Sequence, residues 1–116
     1  YPELEGHPDQ ALAKELLPNG CGAVFSFDLA GGREAGIAFV DALSVFSHLA
    51  NIGDAKSLVI HPASTTHHRV DEDALLASGI GPGLVRLSVG LEDSSDLIAD
   101  LKTGLRAVEK MIEKKR

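Results

Sequence analysis

Apolar and polar positions change period several times along this chain, and each change marks an element. "HPDQALAKELL" carries a short helical pattern that Pro18, Asn19 and Gly20 bring to an end. In "GAVFSFDL" the period drops to two. Phe25, Phe27 and Leu29 share one face and Val24, Ser26 and Asp28 the other, as in a half-buried strand. Gly31 and Gly32 turn the chain into "REAGIAFVDALSVFSHLA", where Ile37, Val40, Leu43, Phe46 and Leu49 recur at helical spacing and predict one long helix. The turn "NIGD" leads to a short strand, "KSLVIH". "PASTTHHRV" is too polar and too proline-interrupted for regular structure and reads as a loop. "DEDALLASG" predicts a brief helix with an acidic first turn and a glycine stop. "GPGLVRLSVGLED" predicts a third strand. "SSDLIADLKTGLRAVEKMIEKKR" predicts a closing helix with Leu97, Ile98, Leu101, Leu105, Val108 and Ile112 on one stripe and Asp93 as its N-cap. The order α-β-α-β-α-β-α implies an α/β (α+β) fold, a small sheet of about three to four strands covered on one face by helices.

One residue breaks the pattern of the third strand. Val85, Leu87 and Val89 fall on one face, and Leu84, Arg86 and Ser88 on the other. If helices cover the first face, Arg86 points away from them. A guanidinium does not lose its proton and is costly to desolvate without an anion. Arg86 is therefore a solvated surface residue, the partner of a nearby Asp or Glu, or a fork for a carboxylate or phosphate. The strand alone leaves all three open.

Composition narrows the rest. A chain of 116 residues, 44% hydrophobic and 24% charged, suits one globular domain spanning residues 1–116. A net charge of −6 makes nucleic acid an unsuitable partner. The basic cluster Lys110, Lys114, Lys115 and Arg116 is explained by the dipole at the end of a last helix. The single cysteine, Cys21, excludes an intrachain disulfide, fits a reducing, cytoplasmic setting and is expected to be buried packing. No apolar run approaches a membrane span. The start, without Met and close to helical sequence, reads as part of something longer.

Other candidates for chemistry are weaker. His61, His67 and His68 lie close together, but a zinc site needs three or four convergent ligands, and adjacent histidines diverge in an extended segment. Ser64, His67 and Asp71 can be assembled into a triad on paper, yet no strand-turn-helix elbow supports it. Gly79, Gly81 and Gly83 precede a strand rather than a helix, so they serve turns and not a dinucleotide.

Two long stretches carry a resemblance. "GDAKSLVIHPASTTH" and "GIGPGLVRLSVGLEDSSDLIADL" closely resemble the C-terminal domain of the pyridoxal phosphate enzymes of cysteine and methionine metabolism. Cystathionine synthases and lyases, methionine gamma-lyase and O-acetylhomoserine sulfhydrylases belong there. "FSHLANIGDAKSLVIHP", with Asn51 and Lys56, looks most like the O-acetylhomoserine sulfhydrylase branch; other branches usually have Ser and Glu at those positions. The resemblance implies that Arg86 binds the substrate's α-carboxylate and that Asn51 helps hold it. It further implies that Thr66 lies near the substrate and the cofactor lysine and that His67 is structural. It implies pyridoxal phosphate as cofactor, an amino acid as substrate, a separate large domain and a homotetramer. The family's Ser-x-Thr-Lys segment with the Schiff-base lysine does not occur here. Lys14, Lys56, Lys102, Lys110, Lys114 and Lys115 all read as solvated charges. The chain is thus expected to be the small domain of a larger enzyme, with no catalytic residue of its own and no activity alone.

Overall fold

The computed structural model describes residues 1–65 and 71–115. Its elements are α1 (Gln10–Leu16), β1 (Val24–Asp28), α2 (Gly32–Ala42), β2 (Ser47–His48), β3 (Leu58–Ile60), a 3-10 turn (Pro62–Ser64), α3 (Glu72–Ala77), β4 (Leu84–Ser88) and α4 (Ser94–Lys114). The four strands form one sheet in the order β1-β4-β3-β2. Strand β4 runs antiparallel to both neighbours, and β2 pairs parallel with β3 at the edge. This is the α/β architecture expected from the pattern.

Helices α2 and α4 pack against each other over one face of the sheet. Phe39 and Ala35 of α2, Leu97 and Val108 of α4, and Val59, Val85 and Leu87 of the sheet are all buried and form the centre of the core. The two helices approach closely because α4 carries Gly104 at the crossing: a Cβ there would stand 2.8 Å from the Phe39 ring. A mid-helix glycine costs about 1 kcal/mol of propensity relative to alanine, and the aromatic packing it admits offsets that. Asp93 caps α4 as expected, its Oδ1 accepting the Ser95 N–H at 2.8 Å.

Three expectations are corrected. The long helix predicted from "REAGIAFVDALSVFSHLA" stops at Ala42, and a two-residue strand, β2, follows it. The cause is remote in sequence. The carboxylate of Asp100, buried on α4, accepts the N–H groups of Ser44 (2.8 Å), Val45 (2.9 Å) and Phe46 (3.0 Å) and the Ser44 hydroxyl (3.1 Å). Captured this way, those N–H groups do not bond back along the helix, and Leu43 is extended (ψ 140°). Phe46 still reaches the core, but Leu49 is left exposed.

The stripe on α4 is also rotated. Leu97, Asp100, Gly104 and Val108 are its buried residues, flanked by half-buried Leu101, Met111 and Ile112. Ile98 and Leu105 are exposed, about 100° around the helix from Leu97 and Gly104. Cys21, expected to be buried, is only half-buried. Among the described residues no helix is long and apolar enough to cross a membrane.

Candidate functional site

The alternation of β4 decides where its arginine goes. Val85 and Leu87 are fully buried under the helices, so Arg86 projects from the opposite face. Cross-strand pairing places it in a row with Ser26 on β1 and Ile60 on β3. Arg86 lies on a pocket of about 370 Å³ whose apolar wall is Ile60, Pro62, Ile80 and Leu84, with the small residues Ser26 and Ala50 alongside. It is the one charged side chain among the described residues lining that pocket.

The guanidinium is half-buried, and its Nη2 donates to the backbone carbonyl of Asn51 at 3.3 Å. Among the described residues, no carboxylate lies within ion-pair distance of it. Of the three readings open from the strand, the partner Asp or Glu is therefore not found there. Among the described residues this is its one hydrogen bond, and a bond to a neutral carbonyl leaves most of the five guanidinium N–H donors to an anion.

Arg86 and Asn51 are thus brought together, though through the backbone of Asn51. The Asn51 side chain serves its own loop: Oδ1 accepts the Ile52 N–H at 2.9 Å, and Nδ2 stands 3.5 Å from Asp54 Oδ2. Asp54 Oδ1 in turn accepts the Lys56 N–H at 2.9 Å. Thr66, with His67 and His68, lies outside the described residues.

At the foot of this loop is a cluster that sequence reasoning missed. Glu92 Oε1 accepts the Ser57 N–H at 2.8 Å and Oε2 accepts the Ser57 hydroxyl at 2.6 Å, while Ser57 Oγ accepts the Gly90 N–H at 2.8 Å. Lys56 Nζ sits 3.4 Å from Glu92 and also donates to the Val45 carbonyl. Lys56 is therefore an ion-pair partner and not the freely solvated charge expected. The Ser57 hydroxyl and N–H, with Lys56 beside them, hold the Glu92 carboxyl down from 4.5 to about 2. The turn is tight: a Cβ on Gly90 would stand 2.1 Å from the Ala55 carbonyl oxygen. Glu92 lies two residues past "SVG", and only the pairing of β3 with β4 brings it to Ser57, just before β3, so the sequence alone carried no local signal for it.

Behind the pocket wall, on the helix side of the sheet, His61 packs against Gly36 of α2. It is fully buried; its Nε2 lies 2.6 Å from the Pro82 carbonyl and its Nδ1 2.7 Å from the Ser64 hydroxyl. A carbonyl can only accept, so Nε2 carries the proton and Nδ1 accepts from Ser64. Burial pushes the imidazole below its usual 6.5 against the opposing pull of the Pro82 carbonyl, with Arg33 and His48 adding to the push. Among the described residues no group of three His, Cys, Asp or Glu side chains is placed to hold a metal ion.

The lysines do not fit a Schiff base to pyridoxal phosphate. Lys14, Lys102, Lys110, Lys114 and Lys115 are exposed on or beside helices, and Lys56 is committed to Glu92. None lines the Arg86 pocket. The chemistry this site offers is anion binding beside an apolar wall.

Comparison with known proteins bears on what that anion is. The family described as Cys/Met metabolism PLP-dependent enzyme matches residues 1–106. The chain is 47% identical over 109 residues to an O-acetyl-L-homoserine sulfhydrylase of Leptospira meyeri, covering 93% of this chain and 25% of that protein. It is 45% identical over 108 residues to an L-methionine gamma-lyase of Fusobacterium nucleatum subsp. polymorphum, covering 93% and 27%. A solved cystathionine gamma synthase from Xanthomonas oryzae pv. oryzae, in complex with aminoacrylate and cysteine, superposes with a TM-score of 0.83 at 44% identity, covering 95% of this chain and 28% of that one. The chain thus spans about a quarter of the length of the relatives it matches. These relatives carry three different activities at nearly equal identity, so the likeness does not select among them.

Proposed function

The chain belongs to the Cys/Met metabolism PLP-dependent enzymes, and from that premise we propose that it is the small domain of an O-acetylhomoserine sulfhydrylase. In this reading the whole enzyme transfers an aminocarboxypropyl group to sulfide or methanethiol, giving homocysteine or methionine. Pyridoxal phosphate is then held by a lysine outside these 116 residues, and the chain alone is inactive. The same reading carries a cytoplasmic homotetramer.

What the chain contributes is the grip on the amino-acid substrate. The observation that carries this is Arg86: a guanidinium on the helix-free face of the sheet, at an apolar pocket, held by a carbonyl and met by no carboxylate among the described residues. A planar fork in that setting receives a carboxylate through two parallel N–H···O bonds, which fixes direction as well as position. The Asn51 carbonyl holds one edge of the fork, so less side-chain freedom is lost when substrate arrives. The apolar wall of Ile60, Pro62, Ile80 and Leu84 limits water at the same spot, which strengthens the ionic contact. Holding the carboxylate orients the rest of the amino acid toward the reacting centre, a positioning role. Thr66 is assigned to the same substrate-facing surface by family likeness alone.

The test is Arg86→Ala and Arg86→Lys in the full-length enzyme. A charge-assisted hydrogen bond contributes about 1.5–3 kcal/mol, so KM for the amino-acid substrate rises by about 10- to 100-fold in the alanine variant. Lysine keeps the charge and loses the fork, so it rescues poorly. An unchanged KM in Arg86→Ala excludes the carboxylate role. The near-equal identity to a gamma-lyase and a cystathionine synthase keeps a second activity in view, and product analysis with sulfide, with cysteine and with no acceptor separates the three. Tight amino-acid binding by the isolated chain would instead support a non-catalytic binding module.

A further inference from the structure

The pocket beside Arg86 is bordered by residues 49–56, a loop that joins β2 to β3 and is itself exposed over much of its length. Its large apolar side chains, Leu49 and Ile52, are mostly exposed, so hydrogen bonds carry much of its positioning. Those bonds form a chain that can be followed atom by atom. Glu92 grips Ser57 with both carboxylate oxygens and Lys56 with one. Asp54 takes the Lys56 N–H with one oxygen and stands 3.5 Å from the Asn51 amide with the other. The Asn51 carbonyl then meets the Arg86 guanidinium. The turn at the foot is closed a second time by the Leu91 N–H, which donates to the Ala55 carbonyl at 2.8 Å.

Both ends of this relay leave the same stretch of chain. Arg86 lies on β4, and Glu92 lies in the turn that follows it. The segment that carries the arginine also carries the carboxylate that holds the neighbouring loop, so the two are set relative to each other by one backbone. We propose that Glu92 is a positioning residue for the amino-acid site: acting through Ser57, Lys56 and Asp54, it holds loop 49–56 so that Asn51 stands against Arg86. The inference rests on the reading of Arg86 as the carboxylate receptor. It adds a residue on a different element from the pocket wall, one that touches neither substrate nor cofactor. Held this way, the loop is ordered before substrate binds, and the ordering cost does not fall on the binding step.

The experiment uses the full-length holoenzyme with Glu92→Gln, Asp54→Asn, Arg86→Ala and the Arg86→Ala/Glu92→Gln double variant. Glu92→Gln keeps the side-chain volume and removes the charge that draws in Lys56 and Ser57. Asp54→Asn lies in the loop itself, outside the buried core, and so tests the relay with a second variant. Expected in both single loop variants are faster hydrogen–deuterium exchange across residues 49–56 and a rise of about tenfold in KM for the amino-acid substrate, with kcat within about twofold. Because the effect travels through Arg86, the double variant raises KM no further than Arg86→Ala alone. A merely structural Glu92 would lower thermal stability and leave the split between KM and kcat untouched. Unchanged KM in Glu92→Gln and Asp54→Asn, or unchanged exchange of residues 49–56, overturns the proposal. Arg86→Ala reports separately on the carboxylate reading: an unchanged KM there removes that reading, while exchange and KM in Glu92→Gln still decide whether the relay shapes the pocket.

Discussion

Asp100→Ala is the substitution whose consequence can be worked most fully from the geometry. Its carboxylate accepts three consecutive backbone N–H groups and one hydroxyl where α2 gives way to β2. Ser44 is exposed, so water can replace the acid there. Phe46 is 4% exposed and Val45 half-buried, so their N–H groups would be left without an acceptor. Each such orphan costs about 1–3 kcal/mol, giving about 2–6 kcal/mol for the substitution. Against a total stability of about 5–15 kcal/mol that is a large share, and it should lower Tm by more than about 10 °C. Urea denaturation followed by circular dichroism measures it as a lower midpoint at unchanged m. Asp100→Asn keeps the shape but turns an amide NH₂ toward N–H donors, so it should recover less than half of the loss. The pH dependence supplies a sign. Burial opposes the charged form, but the N–H groups of Ser44, Phe46 and Val45 and the Ser44 hydroxyl outweigh it and hold the carboxyl below its usual 3.8. The folded state therefore binds fewer protons than the unfolded one in acid. The stabilisation is complete above about pH 4 and drains away as pH falls through the depressed folded value, where wild type converges on Asp100→Asn. A midpoint for Asp100→Ala equal to that of wild type would show that the carboxylate does not hold the chain reversal.

Two further outcomes concern the His61 anchor, beside those already set for Arg86 and Glu92. A Cβ on Gly36 would stand 2.3 Å from His61 Nε2, so Gly36→Ala must displace the imidazole from the Pro82 carbonyl and should cost about 3 kcal/mol, read from the denaturation midpoint. Burial keeps His61 neutral below its ordinary 6.5, so the unfolded chain takes up that proton first as pH falls. Stability should be flat in this respect above about pH 6.5 and decline below it, and His61→Gln should lack that part of the slope in denaturation series at pH 7.5 and 5.5.

Strands β1 and β4 were legible because a period of two reports directly on which side of a sheet each residue faces, whereas β2 lay hidden inside the stretch read as a helix. That period is why the direction of Arg86 follows from Val85 and Leu87 alone. The end of α2 was not legible, because apolar spacing from Ile37 to Leu49 continues through it, and what breaks the helix is Asp100, more than fifty residues away in sequence on the neighbouring α4. Nor was the face of α4. Counting only large apolar residues admits Ile98 and Leu105 and passes over Gly104 and Asp100, the two positions that touch α2 and its exit. An acid on an apolar helix stripe is the same kind of misfit as an arginine within an apolar strand. Read as one, Asp100 would have pointed to the reversal. Lys56 and Glu92 gave no local signal as a pair, since only the pairing of β3 with β4 brings them together.

The strand order β1-β4-β3-β2 has a consequence for how the protein is made. The strand that sits between β1 and β3 is the last of the four to be synthesised, and Val24 waits for Ser88 before it has any partner. On the ribosome, the first strand and the parallel pair emerge as separate pieces with bare edges, and a single late segment zips them into one surface. Assembly should therefore be abrupt and depend on distant contacts. Ribosome-stalled chains ending before Leu84 should be digested by protease as if unfolded, and protection should arrive only once that last strand and α4, whose Leu97 and Val108 complete the core, have cleared the exit tunnel.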